Sequence, residues 1–269
     1  MSSDRDIAVA RALAERLARE AGAIQRERYE TTFRIATKGT PTNLVTEVDH
    51  ACEELIVETL ERERPGDAIL AEEGGGTEHP DAEWCWVVDP LDGTTNFAHG
   101  YPRFCVSIGV ERRGERAAAA VYDPLLDELY TATRGGGAFL GRRPLRVSAE
   151  TTLAHALAAT GFAYDVHRSE DDNLSNFARM VKSTRAVRRD GSAALDLCYV
   201  AAGRFDAFWE FKLSPWDVAA GILIVEEAGG RCTDAGGGAA PRSGVEVVAS
   251  NGVLHDAILA LLERHGQRA

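Results

Sequence analysis

The sequence predicts an α+β fold, with helices at its N-terminal end, a largely antiparallel sheet after them, and a second half in which strands and helices alternate. Three observations predict it. Residues 4–29 place Ile7, Ala10, Leu13, Leu17, Ala21 and Ile24 three or four positions apart, which gives one apolar helical stripe. Residues 84–88 read Trp-Cys-Trp-Val-Val, an unbroken apolar run suited to a strand buried on both faces. Stretches 104–111, 116–122, 129–133 and 138–140 then recur with short connections, as neighbouring strands do.

The remaining elements follow in order. Residues 33–45 read as a short strand pair around the turn signal Lys38-Gly39-Thr40-Pro41. A second helix is expected over 46–64, with Val48, Ala51, Cys52, Leu55, Ile56 and Leu60 on one face, Thr46 as its cap and Pro65-Gly66 as its stop. Residues 68–71 form a short apolar strand. In the second half, strands are expected at 156–161, 205–208 and 245–249, with an extended stretch at 183–188. Helices are expected at 170–182, 192–202, 216–228 and 254–264. The loops 74–83 and 234–244 are the expected flexible segments. No repeat or linker is visible, so 1–145 and 146–269 are expected to be halves of one compact body.

Composition narrows the function. The chain has 269 residues, of which 45% are apolar and 27% charged. No apolar run approaches the roughly 20 residues of a membrane span. The N-terminal stripe is broken by Arg11, Glu15, Arg16, Arg19 and Glu20, unlike a signal peptide, so a cytoplasmic protein without membrane attachment is expected. Five cysteines, none in a close-spaced pair, read as free thiols rather than a zinc site. A net charge of −12 argues against general nucleic-acid binding. It also means that a phosphate-bearing substrate would need a local cation.

The chemistry concentrates in Asp89-Pro90-Leu91-Asp92-Gly93-Thr94-Thr95. Two carboxylates follow a buried strand, Pro90 stiffens the turn, and Gly93 permits close backbone approach to a ligand. Thr94, Thr95 and Asn96 read as the first turn of a helix capped by Asp92, which would turn free N–H groups toward an anion. A turn alone accounts for Asp92-Gly93, but not for two aspartates at the mouth of such a strand. Glu72, Asp49 and Asp217 also stand at element ends, where each carboxylate can reach a shared cleft. Singly, such charges are ordinary loop or helix-start residues. Converged, Asp49, Glu72, Asp89, Asp92 and Asp217 would repel one another without cations. Mg²⁺ suits such oxygen donors, and two ions about 4 Å apart can activate water and stabilise a leaving oxygen.

These motifs resemble the inositol monophosphatase family. Trp86-Val87-Val88-Asp89-Pro90-Leu91-Asp92-Gly93-Thr94-Thr95-Asn96-Phe97 is similar to its first signature. Trp216-Asp217-Val218-Ala219-Ala220-Gly221, running on to Glu227-Ala228-Gly229-Gly230, is similar to the second. Lys38-Gly39 with Asn43 to Asp49, Ala71-Glu72-Glu73-Gly74 and Gly191-Ser192-Ala193-Ala194 resemble further family segments, so the likeness spans nearly the whole chain.

The resemblance implies the layered αβαβα sandwich of inositol monophosphatases, fructose-1,6-bisphosphatases and related sugar phosphatases. It implies a Mg²⁺-dependent phosphoric monoester hydrolase, commonly a homodimer and inhibited by lithium, with inositol 1-phosphate as the first expected substrate. By matching positions, Glu72, Asp89 and the Leu91 carbonyl would hold one ion, and Asp89, Asp92 and Asp217 a second. Glu72 would hold a third through water. Asp49 and Thr94 would orient and deprotonate the attacking water. Gly93, Thr94 and Thr95 would cradle the phosphate, while Gly191, Ser192, Ala193 and Glu210 would meet the substrate, with Lys38 in a loop beside the site. The connection from Glu72 to Asp89 is short, which disfavours bisphosphate nucleotidase activity. Arg188 and Arg189 could attract a second phosphate, or form an ion pair or subunit contact. Lys212 is expected to bias the pocket or face solvent, and His99 to edge the pocket. Histidinol-phosphate, fructose-1,6-bisphosphate and nucleotide phosphatases are the alternatives. The resemblance extends to bacterial relatives that bind the transcription machinery, so an antitermination role with dispensable catalysis is a further expectation.

Overall fold

The structure is a computed structural model, and it describes residues 2–242 and 245–262. The long N-terminal stripe folds as α1 (Ser2–Arg28). A small hairpin of β1 (Ile35–Thr37) and β2 (Leu44–Thr46) leads into α2 (Glu47–Glu63), whose first turn Thr46 caps as expected. A seven-stranded sheet follows, formed in spatial order by β3 (Ala68–Ala71), β4 (Trp84–Asp92), β5 (Cys105–Arg112), β6 (Glu115–Asp123), β7 (Glu128–Thr133), β8 (Gly137–Leu140) and β9 (Arg143–Pro144). Only β3 and β4 pair in parallel; the rest is an antiparallel meander. The short α3 (Thr94–Ala98) leaves the end of β4.

The second half builds a five-stranded sheet from β10 (Leu157–Thr160), β11 (Ala186–Arg188), β12 (Ala207–Phe211), β13 (Arg231–Thr233) and β14 (Glu246–Ser250), in the order β11-β10-β12-β14-β13. Its helices are α4 (Leu174–Ser183), α5 (Ala193–Ala201), α6 (Pro215–Glu227) and α7 (His255–Leu261).

These elements stack as helix, sheet, helix, sheet, helix. One apolar core lies where α1 and α2 cover the large sheet, filled by Leu17, Ile56, Leu60, Trp86 and Ile108. A second joins the other face of that sheet, through α5 and α6, to the small sheet. A third, around Trp209 and Met180, seats α4 and α7 on the outer face. The middle-layer helices are largely apolar because they are covered on both sides; Val218, Ile222, Leu223, Ile224 and Val225 are all buried. Gly109 on β5 permits this closeness, since a Cβ there would stand 2.8 Å from the Cβ of Ala219 on α6.

Four details differ from the sequence expectation. The strand expected to end at Val88 continues through Asp92, because its pairing with β5 resumes beyond an irregularity. The helix expected from residue 170 begins at Leu174, since Asn173 takes a left-handed conformation (φ 61°) and spends its side chain on Thr160, Gly161 and Trp209. Strands β9 and β13 are two and three residues long, too short to show a periodicity. The strand expected at 205–208 lies at β12 instead. Residues 243–244 of one expected loop, and 263–264 of the last expected helix, lie outside the described residues.

Candidate active site

The irregularity in β4 creates the centre of the site. Asp89 pairs with Ser107 and Asp92 with Cys105, so three steps along β4 match two along β5, and Pro90 and Leu91 bulge out of the ladder. Asp89 steadies the bulge by accepting the Leu91 N–H at 3.0 Å. The turn then needs Gly93, which sits at φ 100°, where a Cβ would meet the Arg103 carbonyl at 2.7 Å. Gly93, not Asp92, is the N-cap residue of α3. The Asp92 carboxylate instead crosses to α5, where its Oδ2 accepts the Ser192 hydroxyl at 2.6 Å and the Ala194 N–H at 2.8 Å.

Helix starts deliver the other acids. Asp49 and Asp217 are each the third residue of a helix, and each binds back to the cap residue. Asp49 Oδ2 accepts the Thr46 N–H at 2.8 Å and its hydroxyl at 2.5 Å. Asp217 Oδ2 accepts the Ser214 N–H at 2.6 Å. The capping bonds fix one oxygen of each carboxylate and leave the other for the cleft. The remaining Asp49 oxygen accepts the Thr94 hydroxyl at 2.9 Å, and that hydroxyl also lies 3.1 Å from the Leu91 carbonyl.

Asp89, Asp92 and Asp217 converge, with one oxygen of each inside 4.8 Å of the others. Glu72 reaches the Asp89 carboxylate. Burial, reinforced by the charges of Glu72, Asp92 and Asp217, pushes Asp89 far above the usual carboxylate range. Burial and Asp92 do the same to Asp217. Asp92 rises to about 6, because burial outweighs its donors Ser192 and Ala194. Asp49 rises through burial, despite its three hydrogen bonds. Such a knot of carboxylates is stable only with protons or cations between them.

Lys38 supplies one cation from the loop between β1 and β2, bonding Glu72 at 2.8 Å and Glu73. Burial lowers the Lys38 ammonium, but Glu72 and Glu73 outweigh it and hold it above its ordinary value. A cavity of about 650 Å³ opens over the acids, and it runs past Thr95, His99 and Gly93 toward Gly191, Ala193, Arg189 and Glu210. Burial pushes Glu210 up to about 8, against the pull of Arg189. Gly161 makes room for it: a Cβ there would stand 2.1 Å from a Glu210 carboxylate oxygen. Lys212 edges the cavity while bound to Asp165 at 3.0 Å and Ser169 at 2.8 Å, which ties the loop after β10 to β12. Arg188 points away, into a separate hollow with Arg103, Tyr199 and Arg204.

The structure thus gathers Lys38, Glu72, Asp89, Leu91, Asp92, Gly93, Thr94, Thr95, Gly191, Ala193, Glu210 and Asp217 around one cavity, with Asp49 directly behind Thr94. Ser192 differs from expectation. Its hydroxyl is buried against Asp92 and caps α5, so its side chain positions an acid rather than facing the cavity. Three residues that sequence reasoning missed also shape the site. Glu53 accepts the N–H groups of Glu73 and Gly75 at 2.7 and 2.8 Å, holding the Glu72 loop. Asn96 donates to the Arg103 and Asp190 carbonyls, tying α3 to the segments that follow it and that precede Gly191. Gln25 on α1 donates to the Pro90 carbonyl at 2.7 Å. The polar Gln25 and Glu53 on otherwise apolar helix faces were the available signals.

A family model described as the inositol monophosphatase family matches residues 6–267. An inositol-1-monophosphatase of Rhizobium meliloti is 43% identical over 92% of this chain and 91% of its own length. A protein of Pseudomonas aeruginosa named Nus factor SuhB is 48% identical over 82% of this chain and 83% of its own. Among solved structures, an inositol monophosphatase from Anabaena superposes with a TM-score of 0.87 at 40% identity, covering 95% of this chain and 96% of that one.

Proposed function

The chain belongs to the inositol monophosphatase family, and from that premise we propose that it hydrolyses the phosphate ester of a small polyol, inositol 1-phosphate foremost, with Mg²⁺ as its metal. The phosphatase class comes with the family: the protein is a phosphoric monoester hydrolase. The observation that carries the reading is the convergence of Asp89, Asp92 and Asp217 at the floor of a cavity that ends in Glu210.

The donor set fits a hard divalent ion. It is made of carboxylate oxygens from Asp89, Asp92 and Asp217, with Glu72 and the Leu91 carbonyl beside them. Those five residues would hold two ions, with a third against Glu72. Bound there, the metal supplies positive charge for the phosphate and acidifies water. The chain's own groups do the rest. The Thr94 hydroxyl donates to Asp49 and so turns its lone pairs outward to accept from a water. A proton leaving that water passes through Thr94 to Asp49, whose raised pKa makes it a stronger base than an exposed aspartate. Gly93, Thr94 and Thr95 line the cavity, and their backbone N–H groups would receive the phosphate oxygens. Glu210 accepts hydroxyls of the polyol, while Gly191 and Ala193 shape the wall.

A panel of inositol 1-phosphate, histidinol phosphate, fructose 1,6-bisphosphate and a nucleotide, assayed with Mg²⁺, tests this. Inositol 1-phosphate is expected to give the highest kcat/KM. A preference for histidinol phosphate by more than about tenfold, some 1.4 kcal/mol, would overturn the substrate assignment. The reading also carries lithium inhibition, a homodimer and action in the cytoplasm. The name of the Pseudomonas relative favours a second reading, as a partner of the transcription machinery. Capture of RNA polymerase components by an Asp92→Asn protein would support that role, and failure to capture any would remove it.

A further inference from the structure

We infer that Gln25, on α1 in the outermost helix layer, is a positioning residue for the metal-binding turn. The bulge between Asp89 and Asp92 takes Pro90 and Leu91 out of the β4–β5 ladder. Pro90 has no N–H, and its carbonyl loses its strand partner there. The Gln25 amide comes across the layer boundary to replace it. Its Nε2 donates to the Pro90 carbonyl at 2.7 Å and lies 3.4 Å from the carbonyl of Cys105, the residue paired with Asp92. One side chain therefore holds both strands at the point where the ladder breaks. The Pro90 carbonyl and the Leu91 N–H belong to one peptide plane, whose N–H is bound by Asp89. Gln25 and Asp89 grip that plane from opposite edges, which orients the chain entering the Leu91 carbonyl and Asp92.

Two further observations favour positioning over mere packing. Gln25 is fully buried and its own Oε1 has no partner, so an apolar residue would sit there at lower cost if filling space were its only task. Four residues on, just past the end of α1, the Tyr29 hydroxyl donates to the Gly100 carbonyl at 2.6 Å, and its ring packs against Phe97 and Phe104. The end of α1 thus holds the segment on both sides of α3.

The inference rests on the metal reading above, and its test separates the two. Mn²⁺ is titrated calorimetrically into the metal-free wild-type protein and into Gln25→Met, which keeps the length and apolar bulk of the side chain but removes the donor. Mg²⁺ dependence of turnover and the melting temperature are measured alongside. The expected result is an affinity for Mn²⁺ about tenfold weaker and a matching rise in half-saturating Mg²⁺. Turnover at saturating Mg²⁺ should stay within about twofold, and the metal-free melting temperature should stay close to that of the wild type, because removing the unpaired Oε1 offsets the Pro90 carbonyl left without its donor. If Gln25→Met does not fold, Gln25→Asn, whose donor is withdrawn by one methylene, is expected to show the same weakening. Equal affinities in wild type and the folded variant, or a lowered affinity matched by a lowered metal-free melting temperature, would overturn the positioning role. Absence of Mn²⁺ binding by the wild type would overturn the metal reading itself.

Discussion

At the floor of the cavity, Asp49, Asp92 and Asp217 are each fastened by a backbone N–H, and Asp89 is braced against the bulge it stabilises. At the far end, Glu210 faces the exposed Arg189 across the cavity, and Lys212 holds a loop through side-chain ion pairs. The floor is assembled from strand and helix ends of both halves, so each acid is determined twice, by its own element and by its partners. At the far end the Lys212 ammonium is tied to the side chains of Asp165 and Ser169. A molecule built this way can alter which ester it accepts without disturbing how it cleaves it.

The contrast can be broken most severely at the floor. Asp92→Asn is expected to lower kcat by more than about 10³-fold, beyond the 10- to 100-fold typical of residues that only support metal ligands. Its far-ultraviolet circular dichroism should remain native. Near-native turnover at millimolar Mg²⁺ would contradict the assignment. Exhaustive chelation is expected to bring activity to background and lower the melting temperature, because the converged carboxylates lose their counter-ions; an unchanged calorimetric melting curve would show that they need none. Thr94→Ala should reduce kcat by about 10²-fold with little change in metal affinity, as loss of the route to Asp49 would do.

Effects at the far end should be smaller and should fall on selection. Glu210→Gln is expected to cost about tenfold in kcat/KM for a polyol phosphate, and little for p-nitrophenyl phosphate, which has no hydroxyls to offer. The pH dependence sharpens this. With Glu210 pushed up to about 8, its ionised form, the better acceptor of hydroxyls, appears as the pH rises through that value. The ratio of KM for p-nitrophenyl phosphate to KM for the polyol phosphate should therefore rise between about pH 7 and 9 in the wild type, and stay flat in Glu210→Gln. Lys212→Met should raise KM by only a few-fold, since partly exposed ion pairs contribute about 1 kcal/mol or less.

The layered fold and the acids were legible in the sequence because each left a local mark. Asp89 and Asp92 end an apolar strand, while Asp49 and Asp217 sit three residues after Thr46 and Ser214, where a helix start wants an acceptor. What stayed hidden depends on residues distant in the chain. Nothing near Gln25 announces Pro90, and nothing near Ser192 announces that its hydroxyl turns toward Asp92. The same holds for β4, whose continuation to Asp92 is set by pairing with Cys105 and not by its own apolar run. Arg188 and Arg189 are adjacent in sequence but diverge into different hollows, a separation that only strand geometry decides.

Gly109 sits beside Val87 in the β4–β5 ladder and does not line the cavity, yet it sets how near α6, and with it Asp217, can come to Asp89 and Asp92. One missing methyl group serves as the gauge of the gap between sheet and helix, and the ion is what measures it. Anything that dilates that seam, a methyl introduced by Gly109→Ala or a ligand wedged beside α6, should register first as metal release rather than as unfolding. An inhibitor of this enzyme would not need to enter the cavity: prising Asp217 from its two partners would disarm the floor from behind.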